Sequence, residues 1–112
     1  MVCDPWDLVV VPFPFSERAG DKRRPAVVIS KPVFHRASHS ILAMITSATH
    51  LSWPGDVRIA DYHTAGLNGP CIIRLKLFTL DNRLLLKKIG RLTPADRKAV
   101  AASLHEFVMS AT

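Results

Sequence analysis

The chain has 112 residues, of which 48% are apolar and 21% charged, a balance that excludes a disordered chain and predicts a single domain over residues 1–112. The formal charge of +6 favours a phosphate-bearing partner as much as it favours simple solubility. No apolar run reaches the roughly 18 residues of a membrane span. The acidic N-terminus lacks the basic region of a signal peptide, so we expect no membrane association and a cytoplasmic protein.

Short apolar runs rich in β-branched residues follow one another along the chain and predict strands, with Pro and Gly between them. The predicted strands cover residues 7–15, 25–30, 40–47, 55–60, 71–80 and 83–92. Several of these runs are apolar without a break, which is typical of strands that are covered on both faces. Gly90 interrupts the last run and predicts a bulge or bend.

After the last strand the apolar spacing becomes that of a helix. Thr93 is the predicted N-cap, Pro94 suits the first helical position, and Asp96 falls three residues after the cap. The apolar stripe that we expect to pack on the sheet comprises Val100, Leu104, Phe107, Val108 and Ala111. Residues 31–39 hold a short helix or a structured loop. The pattern predicts a mainly β (α+β) fold, a small curled β-barrel with appended helices.

A basic cluster stands out in the stretch "GDKRRPAVVIS", where Lys22, Arg23 and Arg24 directly precede Pro25. Three adjacent cations repel one another, so a polyanion that neutralises them is a suitable partner. Pro25 biases Arg24 toward an extended backbone, and an arginine on rigid backbone can bind a phosphate with two hydrogen bonds at low entropic cost. The alternative is a surface arginine that only closes one end of the barrel.

Two hydroxyls, Thr46 and Ser47, end the third predicted strand in "AMITSATH". Hydroxyls at this point can donate to a phosphate oxygen, or they can cap backbone groups at a turn. Farther on, in "GPCIIRLKLFTLD", alternation places Arg74 and Lys76 on one face with Phe78. Two cations beside an aromatic ring can hold the backbone and a base of a nucleic acid, whereas the alternative is an edge strand whose charges prevent aggregation.

The Cys and His residues show no metal-binding spacing. The two cysteines, Cys3 and Cys71, are far apart in sequence, and neither CxxC nor HExxH occurs. His35 and His39 are four residues apart, but a short exposed helix accounts for that spacing. We therefore expect no metal and no cofactor.

In their order and spacing, several motifs resemble the MazF/PemK family of toxin endoribonucleases, the mRNA interferases of type II toxin–antitoxin systems. The motifs are "PFPF", "GDKRRPAVVIS", "MITS", "GDVRI", "IIRLKLFTLD" and "KKIGRL", and the resemblance extends from Trp6 to Val108. It implies a small SH3-like curled barrel with a C-terminal helix and one or two short helices. It also implies a homodimer that cleaves single-stranded RNA at short motifs without a metal, inhibited by a cognate antitoxin.

The resemblance further implies the site residues. The family's catalytic Arg falls on Arg24, its catalytic Thr on Thr46, and a further Arg of the PemK-like branch on Arg74. Attack by the neighbouring 2′-hydroxyl would place charge on the phosphorane oxygens, which positioned donors stabilise. The residues that we expect to bind RNA around this centre are Lys22, Arg23, Ser47, His50 and Lys76.

The sequence departs from the family pattern at three points. Trp6-Asp7 stands where members carry Gly followed by an acid, Lys76 replaces an Asp of the PemK-like branch, and the first loop has no His. The general base is therefore open, and His50 is the nearest candidate. Because Lys76 replaces that Asp, an alternative function is also open, namely a barrel that binds nucleic acid without cutting it. A toxin of the same fold that poisons a protein such as DNA gyrase is a further alternative, although that group lacks the Arg-Pro and Thr-Ser pairs.

Overall fold

The structure is a computed structural model that describes residues 1–12, 22–49 and 52–110. Its strands are β1 (Asp7–Pro12), β2 (Arg23–Val28), β3 (His39–Ser47), β4 (Val57–Arg58), β5 (Cys71–Asp81) and β6 (Lys87–Arg91). Its helices are α1 (Pro32–His35), a 3₁₀ turn (Asn82–Leu84) and α2 (Pro94–Phe107). The strands form one antiparallel sheet in the order β4-β5-β3-β2-β1-β6. This mainly β architecture with a C-terminal helix and short additional helices confirms the predicted fold class.

The predicted last strand, residues 83–92, is partly wrong. Asp81 accepts a hydrogen bond from the backbone N–H of Arg83 at 2.9 Å and begins the 3₁₀ turn. The side chain of Leu85 is then buried, whereas Leu84 and Leu86 are exposed. Only residues 87–91 join the sheet. The predicted strand at 55–60 is likewise found only as β4, and residues 13–15 of the first run lie outside the described residues.

The sheet curls because the segment after β4 reaches the strand at the opposite edge, β6. Ala65 and Gly66 lie directly against the backbone of Ile89 and Gly90. In the pairing of β1 with β6, Leu8 faces Gly90 whereas the next residue of β1 faces Lys88. Ile89, which lies between Gly90 and Lys88, therefore forms a β-bulge, as expected from the glycine in this run.

Apolar side chains are buried on both faces of the sheet, as the unbroken apolar runs predict. The helix-side core lies between the sheet, the loop after β4 and α2, and it consists of Leu8, Val27, Ala43, Ile45, Ile59, Ala65, Leu67, Ile73, Leu92 and Val100. The second core lies on the other face and consists of Cys3, Val9, Val11, Ala26, Val28, Leu42 and Leu85. We refer to the latter as the outer core.

The C-terminal helix begins as the sequence predicts. The Thr93 side chain accepts from the N–H of Asp96, and Pro94 occupies the first turn. Asp96 is buried, and its carboxylate accepts the N–H groups of Ala60 and Asp61 at 2.9 and 3.1 Å, which ties the helix to the loop after β4. Within the described residues neither α-helix has the length and apolarity that a membrane crossing requires.

The predicted packing of the apolar stripe of α2 is confirmed for the first half of the stripe only. Val100 is fully buried and Leu104 packs partly against the helix-side core. Phe107 and Val108, at the C-terminal end of α2, are exposed by 53% and 46%. Ala111 lies outside the described residues.

Candidate nucleic-acid interface

Three residues of the predicted site lie on one face of the sheet. Arg24 is in β2, Thr46 in β3 and Arg74 in β5, and β3 lies between the other two strands. Met44 is paired with Ala26 on one side and with Arg74 on the other. Paired residues share a face, as do alternate residues along a strand, so Arg24 and Thr46 lie on the face of Arg74. We call the face that carries these three residues the site face.

Arg24 belongs to a strand and not to a loop. It is partly buried and is paired with Val11 of β1, whereas Lys22 and Arg23 are exposed. β2 begins at Arg23, and Pro25 within it is paired with its own partner in β1. The predicted change from loop to extended strand at this point is therefore found. The basic cluster presents two exposed cations beside one that the sheet holds in place.

The two hydroxyls at the end of β3 have different surroundings. Thr46 is buried on the site face. Ser47 is exposed, its Oγ lies 3.0 Å from Oγ1 of Thr49, and it accepts from the Thr49 N–H at 3.4 Å. The capping role that the sequence leaves open for both hydroxyls is thus observed at Ser47.

Arg74 is held by an ion pair with Asp56. Its Nε and Nη2 donate to the two carboxylate oxygens at 3.1 and 2.9 Å, and the two side chains are only 11% and 12% exposed. These hydrogen bonds raise the pKa of Arg74 above its ordinary value, so the group is a permanent cation with a fixed orientation. No motif in the sequence singles out Asp56. The only signal was an acid directly after a Pro-Gly turn.

Lys76 reaches the same region of the surface as Arg74. Leu77 is paired with Ala43 and Arg74 with the next residue of β3, so Lys76 lies within a bulge of β5. Its Nζ lies 5.9 Å from the ring centre of Trp53, and Cζ of Arg74 lies 5.7 Å from the same centre. Two cations on one strand therefore meet at a single aromatic ring.

The described histidines do not assemble a metal site. Among residues 1–12, 22–49 and 52–110, the His, Cys, Asp and Glu side chains form no group of three that could hold a metal ion. His35 is buried with its Nε2 2.7 Å from Oγ of Ser30, whereas His39 is the first residue of β3. The two therefore do not share a helix face. His50, the candidate base, lies outside the described residues.

The site face offers two guanidinium groups and a hydroxyl on adjacent strands. A guanidinium has five N–H donors in a planar fork and cannot be deprotonated in proteins. Such groups stabilise an anion that spreads its charge over several oxygens, as a phosphodiester does. The arrangement suits the binding and polarisation of a phosphate.

The family model described as "PemK-like, MazF-like toxin of type II toxin-antitoxin system" matches residues 4–108. Among solved structures, a mycobacterial endoribonuclease in complex with its cognate antitoxin is similar at 17% identity and a TM-score of 0.74, over 94% of this chain and 93% of that chain. MazF from Deinococcus radiodurans is similar at 21% identity and a TM-score of 0.71, over 96% and 97%. The MazE–MazF complex of that organism is similar at 22% identity and a TM-score of 0.70, over 98% of this chain and 99% of that chain. No curated protein sequence matches the chain significantly.

Proposed function

The chain belongs to the family of PemK-like, MazF-like toxins of type II toxin–antitoxin systems, and from that membership we propose that it is an endoribonuclease that cleaves single-stranded RNA at short sequence motifs. The observation that carries the proposal is the position of Arg24, Thr46 and Arg74 on one face of three adjacent strands. Solved structures of similar fold include an endoribonuclease with its antitoxin, which supports the same activity.

The proposed reaction uses the RNA's own nucleophile. The 2′-oxygen attacks the adjacent phosphorus and loses its proton to a base, and a phosphorane forms. The bond to the 5′-oxygen then breaks, and that oxygen takes up a proton. The products are a 2′,3′-cyclic phosphate and a 5′-hydroxyl end. Because the substrate supplies the nucleophile, this reaction needs neither a metal ion nor another cofactor.

Arg24, Thr46 and Arg74 have distinct roles in the proposed reaction. Arg24 and Thr46 donate hydrogen bonds to the non-bridging oxygens, where charge develops in the transition state. Arg74, oriented by Asp56, holds the phosphate in the field of a second fixed cation. Neither arginine acts as a proton donor, because a guanidinium group is not deprotonated in proteins. Their contribution is electrostatic.

The remaining predicted residues surround this centre. We propose that Lys22, Arg23 and Lys76 neutralise flanking phosphates, since all three are cations beside the site residues in sequence. Ser47 and His50 follow Thr46 along the chain and contribute polar contacts to the RNA.

The proposed biological setting follows from the family. A cognate antitoxin would inhibit the toxin, and an acidic segment that covers the cations of the site face would do so directly. We propose that the toxin acts as a homodimer in the cytoplasm, where its single-stranded RNA substrates are found.

The proposal is tested with purified protein and a long RNA of mixed sequence. We expect discrete fragments whose 5′ ends share a short motif. RNA that is retarded in a gel but stays full-length would instead favour a non-cleaving nucleic-acid-binding barrel, the candidate that Lys76 keeps open. Neither cleavage nor retardation would contradict both functions.

Thr46→Val is expected to lower the single-turnover cleavage rate roughly 10²-fold, because one positioned donor is lost. The two side chains have similar volumes, so the melting temperature should change little. Ser47→Ala serves as the control at the neighbouring residue. It should lower the cleavage rate less than about tenfold, since the Ser47 hydroxyl is engaged with Thr49. Normal cleavage together with a large fall in melting temperature would mean that Thr46 is a structural cap.

A further inference from the structure

Trp53 lies on a tight turn with defined geometry. The backbone N–H of Asp56 donates to the carbonyl of Trp53 at 3.0 Å, and the N–H of Trp53 donates to the Asp56 carboxylate at 2.9 Å. Pro54 occupies the second position and Gly55, with φ of 82°, the third. This is the residue pattern of a type II turn. The backbone that carries the indole is thus fixed by the same carboxylate that binds Arg74.

The turn is also held from behind by α2. The Ser103 hydroxyl donates to the carbonyl of Gly55. A side chain at Gly55 would collide with Leu75 and Ser103 and would press on Phe107, so the turn packs closely against strand and helix. The backbone at Trp53 is therefore preorganised, so a ligand that contacts the ring loses little conformational entropy on binding.

The ring itself is exposed beside the cations of the site face. Trp53 is 43% exposed, and both Arg74 and Lys76 lie within cation–π distance of it. A tryptophan that serves only the core would be buried more fully. Here a large aromatic residue remains partly open to solvent beside two cations that can bind phosphates.

We propose that Trp53 stacks on an unpaired base of the RNA next to the scissile phosphate and so helps to determine which sequences are cleaved. This inference rests on the proposed RNA substrate. Arg74 and Lys76 bind the phosphates that flank the stacked base, which is the combination of aromatic platform and basic groove that single-stranded nucleic acids require. An acidic peptide would satisfy the two cations but would leave the indole without a matching group, so the ring favours RNA.

Fluorescence of Trp53 tests the stacking directly. The chain has 2 tryptophans, so Trp6→Phe leaves Trp53 as the single reporter. The titrant is a mixed-sequence oligonucleotide with 2′-O-methyl groups throughout, which removes the nucleophile and prevents cleavage. We expect saturable quenching, and no quenching by an abasic oligonucleotide of equal length. Binding of the oligonucleotide without quenching, or quenching by polyglutamate alone, would overturn the inference.

Two substitutions give an independent test in the otherwise unchanged protein. Trp53→Ala should raise the dissociation constant for the same oligonucleotide about tenfold or more, whereas Trp53→Phe should stay within a few-fold of the wild type. In both variants the melting temperature should be preserved. Equal affinity of all three proteins would overturn the inference even if the wild type cleaves RNA. Wild-type binding and quenching without any cleavage would instead refute only the proposed activity.

Discussion

Arg24→Ala is expected to lower the cleavage rate at saturating RNA by about 10²–10³-fold and to leave the fold intact. The guanidinium lies on the site face with Thr46 and Arg74, where it would stabilise the phosphorane. Its side chain is only partly buried and belongs to neither hydrophobic core. We therefore expect the free energy of unfolding to change by no more than about 1 kcal/mol. Single-turnover kinetics and thermal melting of the same preparation measure the two effects.

Arg23→Ala is the matched control for this prediction. It removes the same charge one residue away, but Arg23 is exposed and, by strand alternation, points to the other face of β2. Its loss should weaken RNA binding severalfold at low salt and leave the saturated rate almost unchanged. The assignment of Arg24 would be wrong if Arg24→Ala cleaved at the wild-type rate. It would also be wrong if the cleavage rate at saturating RNA fell equally in both variants.

Gly66→Ala is expected to reduce the free energy of unfolding by about 3 kcal/mol or more. Gly66 has φ of 85°, a conformation that costs a residue with Cβ about 1–2 kcal/mol. In addition, a Cβ would collide with the carbonyl of Ile89, so the loop after β4 would have to move away from β6. That contact links the segment after β4 to the opposite edge of the sheet, and the sheet would lose part of its curl. Chemical denaturation of wild type and variant measures the difference.

Gly69→Ala is the control for this second prediction. Gly69 lies in the same connection between β4 and β5, its φ is not positive, and a Cβ there would meet no atom within 4 Å. We expect it to be neutral or slightly stabilising, because alanine restricts the unfolded chain. Equal stability of the two variants would contradict the account of how the barrel is closed.

Local patterns predicted most of the fold. Apolar runs bounded by Pro and Gly located β1, β2, β3 and β5, and the Thr93 cap located the start of α2. The failures occurred where a distant contact decides the outcome. The run "RLLL" reads as a strand, but capping by Asp81 and burial of Leu85 in the outer core bend it into a 3₁₀ turn. Phe107 has helical spacing, yet it is 53% exposed at the end of α2.

The sequence predicts which residues form the candidate site but not how they are arranged in space. The order of motifs points to Arg24, Thr46 and Arg74, and pairing across β3 is needed to place them on one face. The ion pair of Arg74 with Asp56 joins residues that are 18 positions apart, and no local sequence pattern predicts it. The same holds for Trp53, whose exposure and neighbouring cations depend on how the turn packs.

One departure from the family pattern has a structural counterpart. Trp6 stands where members carry glycine, and its φ is 74°, a left-handed conformation that costs a non-glycine residue about 1–2 kcal/mol. Its N–H donates to Val28 at 2.6 Å and its side chain packs partly against the helix-side core. These contacts offset the backbone strain, so the motif is altered in sequence while the local conformation keeps the form that glycine favours.

The most direct test of the account is cleavage, in excess EDTA, of an RNA whose cut site has been mapped, beside a copy with a single 2′-deoxynucleotide on the 5′ side of that site. We predict that the all-ribose RNA is cut to a 2′,3′-cyclic phosphate and a 5′-hydroxyl. We also predict that the deoxy-substituted RNA binds equally well but stays intact at that position. Cleavage of both RNAs, or loss of all cleavage in EDTA, would contradict attack by the 2′-hydroxyl on a phosphate held by Arg24, Thr46 and Arg74.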